Sequence, residues 1–364
     1  MNEETLRKGI LDVKKAVIER ERKKRIASFS DPPLNTLFIE LTRRCNERCE
    51  HCGSSCGEGS SPELSLDVLT GFLEGVAENF DPSSMTLALT GGEPLLYPNL
   101  IPLMWRAKEL GFRMGMTSNG TLVTPTMADE LVDAGLRTVS VSVDGLRTKH
   151  DAFRRKKGAY DLAMGGVGAF IETRRMKAVQ ITTIVTRDTV YDLPAMYEDF
   201  SGLDLDSWRI SNVEPMGRAL LHPNLILTPE EYRYMFDFIR DKRNEEIPVL
   251  YGCQHWLGFD YELETRNWVW GCGAGSSVAS ITCEGNFVAC LDLPRRPDLV
   301  QGNVFDDDFA TVWKERYEFF RRDVSDLDPK CGNCSERNYC MGGAFHSRDF
   351  DSGEQTMCFK GILF

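Results

Sequence analysis

Cys45-Asn46-Glu47-Arg48-Cys49-Glu50-His51-Cys52 is the stretch whose reading decides this chain. Three thiols at CxxxCxxC spacing directly follow an apolar run, Leu37–Leu41, in a loop able to wrap one point in space. Such a loop can hold three irons of a [4Fe–4S] cluster, which leaves the fourth iron open to a small-molecule ligand. Zinc also binds CxxC pairs, but it wants a fourth N or S ligand, and the usual second CxxC is not within reach of this loop. Cys56, after Gly53-Ser54-Ser55, reads as a spare thiol.

The chain around this loop has 364 residues, 42% of them hydrophobic, enough for two ordinary domains with real cores. No run of eighteen apolar residues occurs, and Met1-Asn2-Glu3-Glu4 opens no apolar signal core, so a cytoplasmic protein without a membrane span is expected. Twelve cysteines in that setting read as metal or catalytic thiols rather than disulfides. A formal charge of −12 argues against a general nucleic-acid binder. The run Arg20-Glu21-Arg22-Lys23-Lys24-Arg25 reads as the solvated end of a helix, with a docking patch as the alternative.

Leu6, Ile10, Val13 and Val17 recur at helical spacing and predict an amphipathic helix over residues 3–26, packed on the main body. From Leu37 onward, β-rich runs alternate with helical stretches, the pattern of a parallel sheet with crossover helices. Six strands are expected near Leu37–Leu41, Met85–Leu89, Arg113–Thr117, Thr138–Val143, Val179–Val185 and Ser207–Val213, with helices after Ser65, Pro98, Thr124, Ala159 and Asp192. Six such units make a partial (β/α)6 barrel, and each candidate motif follows a strand, where barrel active sites lie. From about Tyr251 the texture becomes rich in Gly, Cys and Asn, and Thr282–Cys290 reads as a hairpin turning at Gly285. The expected organisation is an N-terminal helical extension over 1–35, the barrel over 36–225, a bridging helix over 226–250 and a cysteine-stapled domain over 251–364.

Gly91-Gly92-Glu93-Pro94 follows the second strand, where glycines let backbone approach a ligand closely and Glu93 offers a carboxylate. Together with CxxxCxxC about forty residues upstream, it resembles the radical S-adenosylmethionine (AdoMet) enzymes, over roughly residues 36 to 364. The resemblance implies that the open iron binds the methionine amino and carboxylate groups, and that electron transfer cleaves AdoMet to a 5′-deoxyadenosyl radical. It places Gly91, Gly92 and Glu93 at the AdoMet amino group, Ser118 and Ser142 on the ribose side, Arg154 against the methionine carboxylate and His51 beside adenine. Turn chemistry explains Ser118-Asn119-Gly120 and Ser142-Val143-Asp144-Gly145 equally well. Val213-Glu214-Pro215-Met216-Gly217-Arg218 resembles another adenine-side segment.

Cys272, Gly285 and Cys290 fit Cx12Gx4C, followed by Cys331-Gly332-Asn333-Cys334, then Cys340 and Cys358. This resembles the SPASM extension of radical AdoMet enzymes, which carries one or two auxiliary iron–sulfur clusters. Cys331, Cys334, Cys340 and Cys358 make a full set for an auxiliary [4Fe–4S] cluster, against a four-thiolate zinc ribbon as the plainer alternative. The chain departs from the family in Cys340-Met341-Gly342-Gly343-Ala344, where the family often ends CxGGC and that last cysteine completes the other auxiliary cluster. That cluster has Cys272 and Cys290 and must draw further ligands from Cys253 or Cys283. A [4Fe–4S] cluster with both, one with an open iron, and a [2Fe–2S] centre all stay open.

The resemblance implies hydrogen abstraction from a ribosomally made precursor peptide or protein, most simply to form an oxidised thioether or C–C crosslink. Epimerisation is an alternative, with Cys253, Cys283 or Tyr339 as hydrogen donor, as is sulfatase-type maturation with Asp292 as base. The expected partners are the peptide and an electron donor such as flavodoxin or ferredoxin; about 35 residues before the first strand are too few for a recognition domain, so peptide recognition falls to a separate peptide-recognition protein or to the barrel itself. Two rivals remain: a SPASM-type enzyme acting on a small molecule such as a haem precursor, and a non-enzymatic zinc-binding protein.

Overall fold

The computed structural model of the chain describes residues 3–58 and 61–364. Six parallel strands, β1 (Thr36–Glu40), β2 (Thr86–Thr90), β3 (Arg113–Ser118), β4 (Leu136–Ser142), β5 (Ala178–Val185) and β6 (Ser207–Asn212), pair in sequence order. Successive side chains of a strand point to opposite faces. Leu37 and Ile39 of β1, Val179 and Ile181 of β5, and Trp208 and Ile210 of β6 therefore enter the main core, while Phe38, Thr182, Ile184, Arg209 and Ser211 face an internal cavity.

An N-terminal helix, α1 (Glu3–Ala27), precedes the strands; α2 (Leu66–Asn79), α3 (Leu100–Glu109), α4 (Pro125–Asp133), α5 (Arg147–Arg154), α6 (Ala159–Glu172) and α7 (Leu193–Phe200) cross between them. Local signals set the starts. The Ser65 hydroxyl accepts from Val68 N at 3.3 Å, and Thr124 accepts from Met127 N at 3.2 Å with Pro125 in the first turn. The short polar α5 has no apolar stripe to announce it in the sequence, yet it carries His150 and Arg154. This is the expected partial (β/α)6 barrel.

The sheet does not stop at the change of texture near Tyr251. After α8 (Pro229–Lys242), β7 (Val249–Tyr251) extends it in parallel beside β6, and β8 (Val278–Ile281) pairs in parallel with β1 at the opposite edge. Two further short strands, β9 (Asn286–Val288) and β10 (Gly302–Asn303), complete one ten-stranded sheet in the order β10-β9-β8-β1-β2-β3-β4-β5-β6-β7. The expected hairpin is β8–β9, turning at Gly285 with φ +87°. Cysteines on and beside this hairpin are thereby carried to the barrel wall next to β1.

The N-terminal helix forms as expected but docks by a different face. Leu6, Ile10 and Val13 stay exposed, and Ile18 is the buried apolar residue. Basic side chains make further contacts: Lys14 Nζ lies 2.5 Å from Glu264, Lys15 sits over Phe259, and Arg25 covers Trp270 while donating to the Cys272 carbonyl at 2.8 Å. Long cationic side chains cover apolar surface with their stems, which a hydrophobic periodicity does not register. Within the basic run, Arg22 and Lys24 pair with Glu19 and Glu21 on the helix itself, while Arg25 docks. No helix among the described residues is long and apolar enough to cross a membrane.

Candidate active site

The loop after β1 is held against the ends of its neighbours by backbone bonds. Gly92 N donates to Thr42 O at 2.7 Å and Glu93 N to Arg44 O at 2.9 Å. A Cβ on Gly92 would lie 2.2 Å from Arg44 O, and Gly91 has φ +147° with Thr42 O equally close. Both glycines are thus demanded by the approach of this loop to the cysteine loop, and both also line the cavity. From the other side Arg218, buried, donates Nε to Cys49 O at 2.8 Å and both terminal nitrogens to Cys56 O at 2.9 Å, and its backbone N donates to Cys52 O at 3.0 Å. Arg218 therefore ties down the cysteine loop, where the resemblance places it beside adenine.

Cys45, Cys49 and Cys52 all border a cavity of about 770 Å³ inside the barrel, in the upper part of the range of small-molecule sites. All twelve cysteines are free. Burial pushes Cys45 up to about 11 and Cys49 up to about 12, while the hydrogen bond from Cys56 holds Cys52 below the usual thiol value. Loading a metal there releases protons from the first two. Three thiols from one loop facing one cavity fit a site-differentiated iron–sulfur cluster. Cys56 is buried and lines the same cavity, its N–H donating to Cys52 Sγ at 3.3 Å.

The other sequence candidates are placed as follows. His51, Gly91, Gly92, Ser118, Ser142 and Arg154 line the cavity, and His51 stacks on Phe153 at 4.7 Å. Glu93 is fully buried and accepts from Ser118 Oγ and Asn119 N, both at 2.8 Å; burial raises it to about 7. Arg154 pairs with Asp144 at 2.6 Å and Glu47 at 3.0 Å. A methionine carboxylate would compete with two carboxylates the protein already supplies. Neither Glu47 nor Asp144 was singled out from the sequence, although the Cys45–Cys52 and Ser142–Gly145 stretches contain them.

His150 supports that pair. Its Nδ1 accepts the Asp144 N–H at 3.0 Å, its Nε2 is buried without a partner among the described residues, and burial with Arg154 nearby pushes it down to about 4. The unfolded imidazole titrates near 6.5, so stability is present above that pH and is lost as pH falls toward 4, by on the order of 3 kcal/mol at most. Thermal unfolding between pH 7 and 4.5 should fall more gently for His150→Asn than for wild type. Equal slopes would rule this assignment out.

The C-terminal cysteines divide into groups. Cys253, Cys272 and Cys290 line the same cavity as the first loop, as do Asp292 and His346. Cys283 does not: its N–H donates to Glu40 Oε2 at 3.2 Å beside Arg295, away from the cavity, and burial pushes its thiol up to about 12. Cys331, Cys334, Cys340 and Cys358 gather elsewhere, close enough that Cys340 is raised by burial and by the other three thiols. Tyr339 stacks on Trp256 at 6.0 Å, a packing role. Arg209, Trp268 and His346 also line the cavity, and sequence reasoning passed over all three.

Two family models match: the radical SAM superfamily over residues 39–208, and SPASM, described as an iron–sulfur cluster-binding domain, over 272–335. An AdoMet-dependent heme synthase of Oleidesulfovibrio alaskensis is 30% identical over 339 residues, covering 85% of this chain and 82% of that protein. A pre-heme d1 synthase of Dinoroseobacter shibae is 32% identical over 349 residues, covering 87% and 83%. Among solved structures, Streptococcus suis SuiB bound to S-adenosylmethionine shares the fold with a TM-score of 0.71 at 16% identity, covering 89% of this chain and 76% of that one. The cofactors implied are a [4Fe–4S] cluster that binds AdoMet, together with auxiliary iron–sulfur clusters. With thiols of both matched regions on the walls of one barrel cavity, the chain belongs to the radical SAM superfamily and carries its SPASM extension.

Proposed function

We propose that this radical AdoMet enzyme acts on an anionic small molecule, a tetrapyrrole bearing carboxylate side chains, seated between the Cys45–Cys52 loop and the Cys272–Cys290 wall. Arg209 carries the reading. It projects from β6 into the cavity opposite Thr182, and among the described residues no carboxylate lies within ion-pair distance of it. Its one polar contact is Gln180 Oε1 at 3.4 Å, and burial lowers its pKa. Cys253 is the one neighbouring group that favours the cation; with no carboxylate beside it, the desolvated guanidinium favours a ligand that brings one, and a carboxylate matches its fork.

The surrounding residues suit that role. Gly252 leaves room for the Arg209 stem, since a Cβ there would lie 2.6 Å from its Cγ. The other cations on the cavity wall are committed: Arg154 to Asp144 and Glu47, and Arg218 to the cysteine loop. Trp268 offers a flat apolar face for a macrocycle. With the cofactors bound, the site supplies one-electron reductive cleavage of AdoMet, which yields a hydrogen-abstracting 5′-deoxyadenosyl radical. The names of the heme and pre-heme d1 synthases support a tetrapyrrole over a peptide, and an external donor of flavodoxin or ferredoxin type would provide the electron.

The test is anaerobic titration with iron coproporphyrin III and with its neutral methyl ester, followed by the visible spectrum. The acid should bind and the ester should bind at least about tenfold more weakly; Arg209→Gln should weaken the acid by about 10- to 100-fold, the worth of a charged hydrogen bond, and leave the ester unchanged. Equal binding of acid and ester, or of acid by wild type and variant, would overturn the assignment. Binding of neither, with modification of a precursor peptide instead, would return the chain to the peptide maturases.

A further inference from the structure

We propose that His346 is the fourth protein ligand of the cavity-facing auxiliary cluster, completing a set of three thiolates, Cys253, Cys272 and Cys290, with one imidazole bound through Nδ1. This rests on the auxiliary-cluster assignment and is independent of the substrate. The three thiols and His346 all line the cavity. They also share neighbours: Asp292 acts electrostatically on Cys253, Cys290 and His346, and Cys272 acts on both Cys290 and His346. Cys283, the remaining cysteine of this region outside the Cys331–Cys358 group, is held at Glu40.

The chain presents this histidine by construction. Met341, Gly342 and Gly343 all have positive φ, at +53°, +88° and +83°, so the backbone reverses sharply after Cys340. A Cβ on Gly342 would lie 2.6 Å from backbone atoms of Val324 and Ser325, so the turn is tightly seated. Ala344, Phe345 and Ser347 are then buried in a single 3-10 turn, pinned by Ser347 Oγ to Gln355 at 2.9 Å and by Thr356 N to Ser347 O at 2.8 Å. His346 is the member of this turn that reaches the cavity, two residues beyond the position where Ala344 offers no ligand.

The ring is also oriented as a ligand would be. His346 Nε2 faces Glu214 Oε2 at 3.9 Å, and Glu214 Oε1 is in turn held by His255 Nε2 at 2.5 Å. Glu214 Oε2 is buried with no hydrogen-bond partner of its own, so it is the group on which the Nε2 edge of His346 bears, and Nδ1 is the ring's other nitrogen. A carboxylate on the far nitrogen fixes the tautomer and increases the donor strength of the near one. In the bound state the neutral ring gives the Nδ1 lone pair to one iron and keeps its Nε2 proton toward Glu214, with no change of oxidation state. Replacing a thiolate by a neutral imidazole removes one negative charge from the cluster and raises its potential, as histidine ligation does in Rieske centres. That suits a cluster that accepts an electron from the substrate side.

A competing arrangement uses the same histidine. Ligand atoms of Glu214, His255 and His346 lie within 4.8 Å of one another and could hold a single metal ion through Nε2. The experiment separates the two. Cys45, Cys49 and Cys52 are replaced by Ala so that only auxiliary clusters load, AdoMet is omitted, and the reduced full-length protein is examined by pulsed EPR with and without nitrogen-15 histidine. A nitrogen coupling that follows the isotope is expected. In His346→Cys the coupling should vanish while iron stays at about eight per chain, as two four-iron clusters require, and the potential should drop and lose its pH dependence. The proposal is overturned if wild type shows no histidine-nitrogen coupling, if the coupling survives in His346→Cys, or if that substitution removes one equivalent of zinc or iron with the clusters unchanged.

Discussion

Replacing Arg154 by methionine should destabilise the protein by about 3–5 kcal/mol, the usual penalty for removing one partner of a buried ion pair. Its side chain is 7% exposed, and the Asp144 and Glu47 carboxylates it neutralises are fully enclosed. Methionine fills much of the volume but leaves two carboxylates in a low-dielectric site, with Glu47 Oε1 already lacking a partner. Burial raises Asp144, but Arg154 and the two histidines outweigh it and hold the group below its usual value. The penalty should therefore be largest near neutral pH and shrink on acidification, as the abandoned carboxylates protonate. Anaerobic thermal unfolding should show a drop on the order of 10 °C at pH 7. Adding Asp144→Asn should recover part of it. A drop of a degree or less would mean that water reaches the triad and that the geometry is looser than described.

The triple replacement of Cys45, Cys49 and Cys52 by Ala should abolish formation of 5′-deoxyadenosine from AdoMet and lower iron from about twelve to about eight per chain, one four-iron cluster fewer. The fold should survive, because the loop is held by Arg218, by Gly92 N to Thr42 O and by Glu93 N to Arg44 O, none of which uses a thiol. Iron analysis, Mössbauer spectroscopy and chromatographic assay of deoxyadenosine are the measurements. Eight irons falling to four would show that one auxiliary site is empty in the reconstituted protein. Zinc in place of iron, with deoxyadenosine absent from wild type as well, would contradict the radical chemistry.

How much of this could be read from the chain follows from the range of each signal. The six barrel strands and most crossover helices were legible because alternation and caps are local: Ser65 and Thr124 announce α2 and α4 within four residues. The short polar α5 has no such pattern, and β7 and β8 have three and four residues, so their partners β6 and β1 could not be anticipated. For α1 the span was legible and the docking face was not, because Lys14, Lys15 and Arg25 make contacts that apolar periodicity ignores. That Gly91 and Gly92 also admit the backbone of Thr42–Arg44 is a contact between distant loops that no local pattern announces.

By itself the sequence determined the class of chemistry, because cysteine spacing within eight residues dictates that three thiols can meet one point whatever surrounds them. Tertiary structure alone decided which groups share the cavity and which charges are already answered. Arg154 finds Glu47 across 107 residues and is neutralised, Arg218 reaches Cys49 across 169 residues and becomes a brace, and Arg209 meets no carboxylate among the described residues. The same holds for the thiols: Cys253 turns to the cavity and Cys283 to Glu40. Covalent spacing controls local convergence, whereas charge balance inside a low-dielectric cavity depends on neighbours a few ångströms away that the chain brings from distant positions.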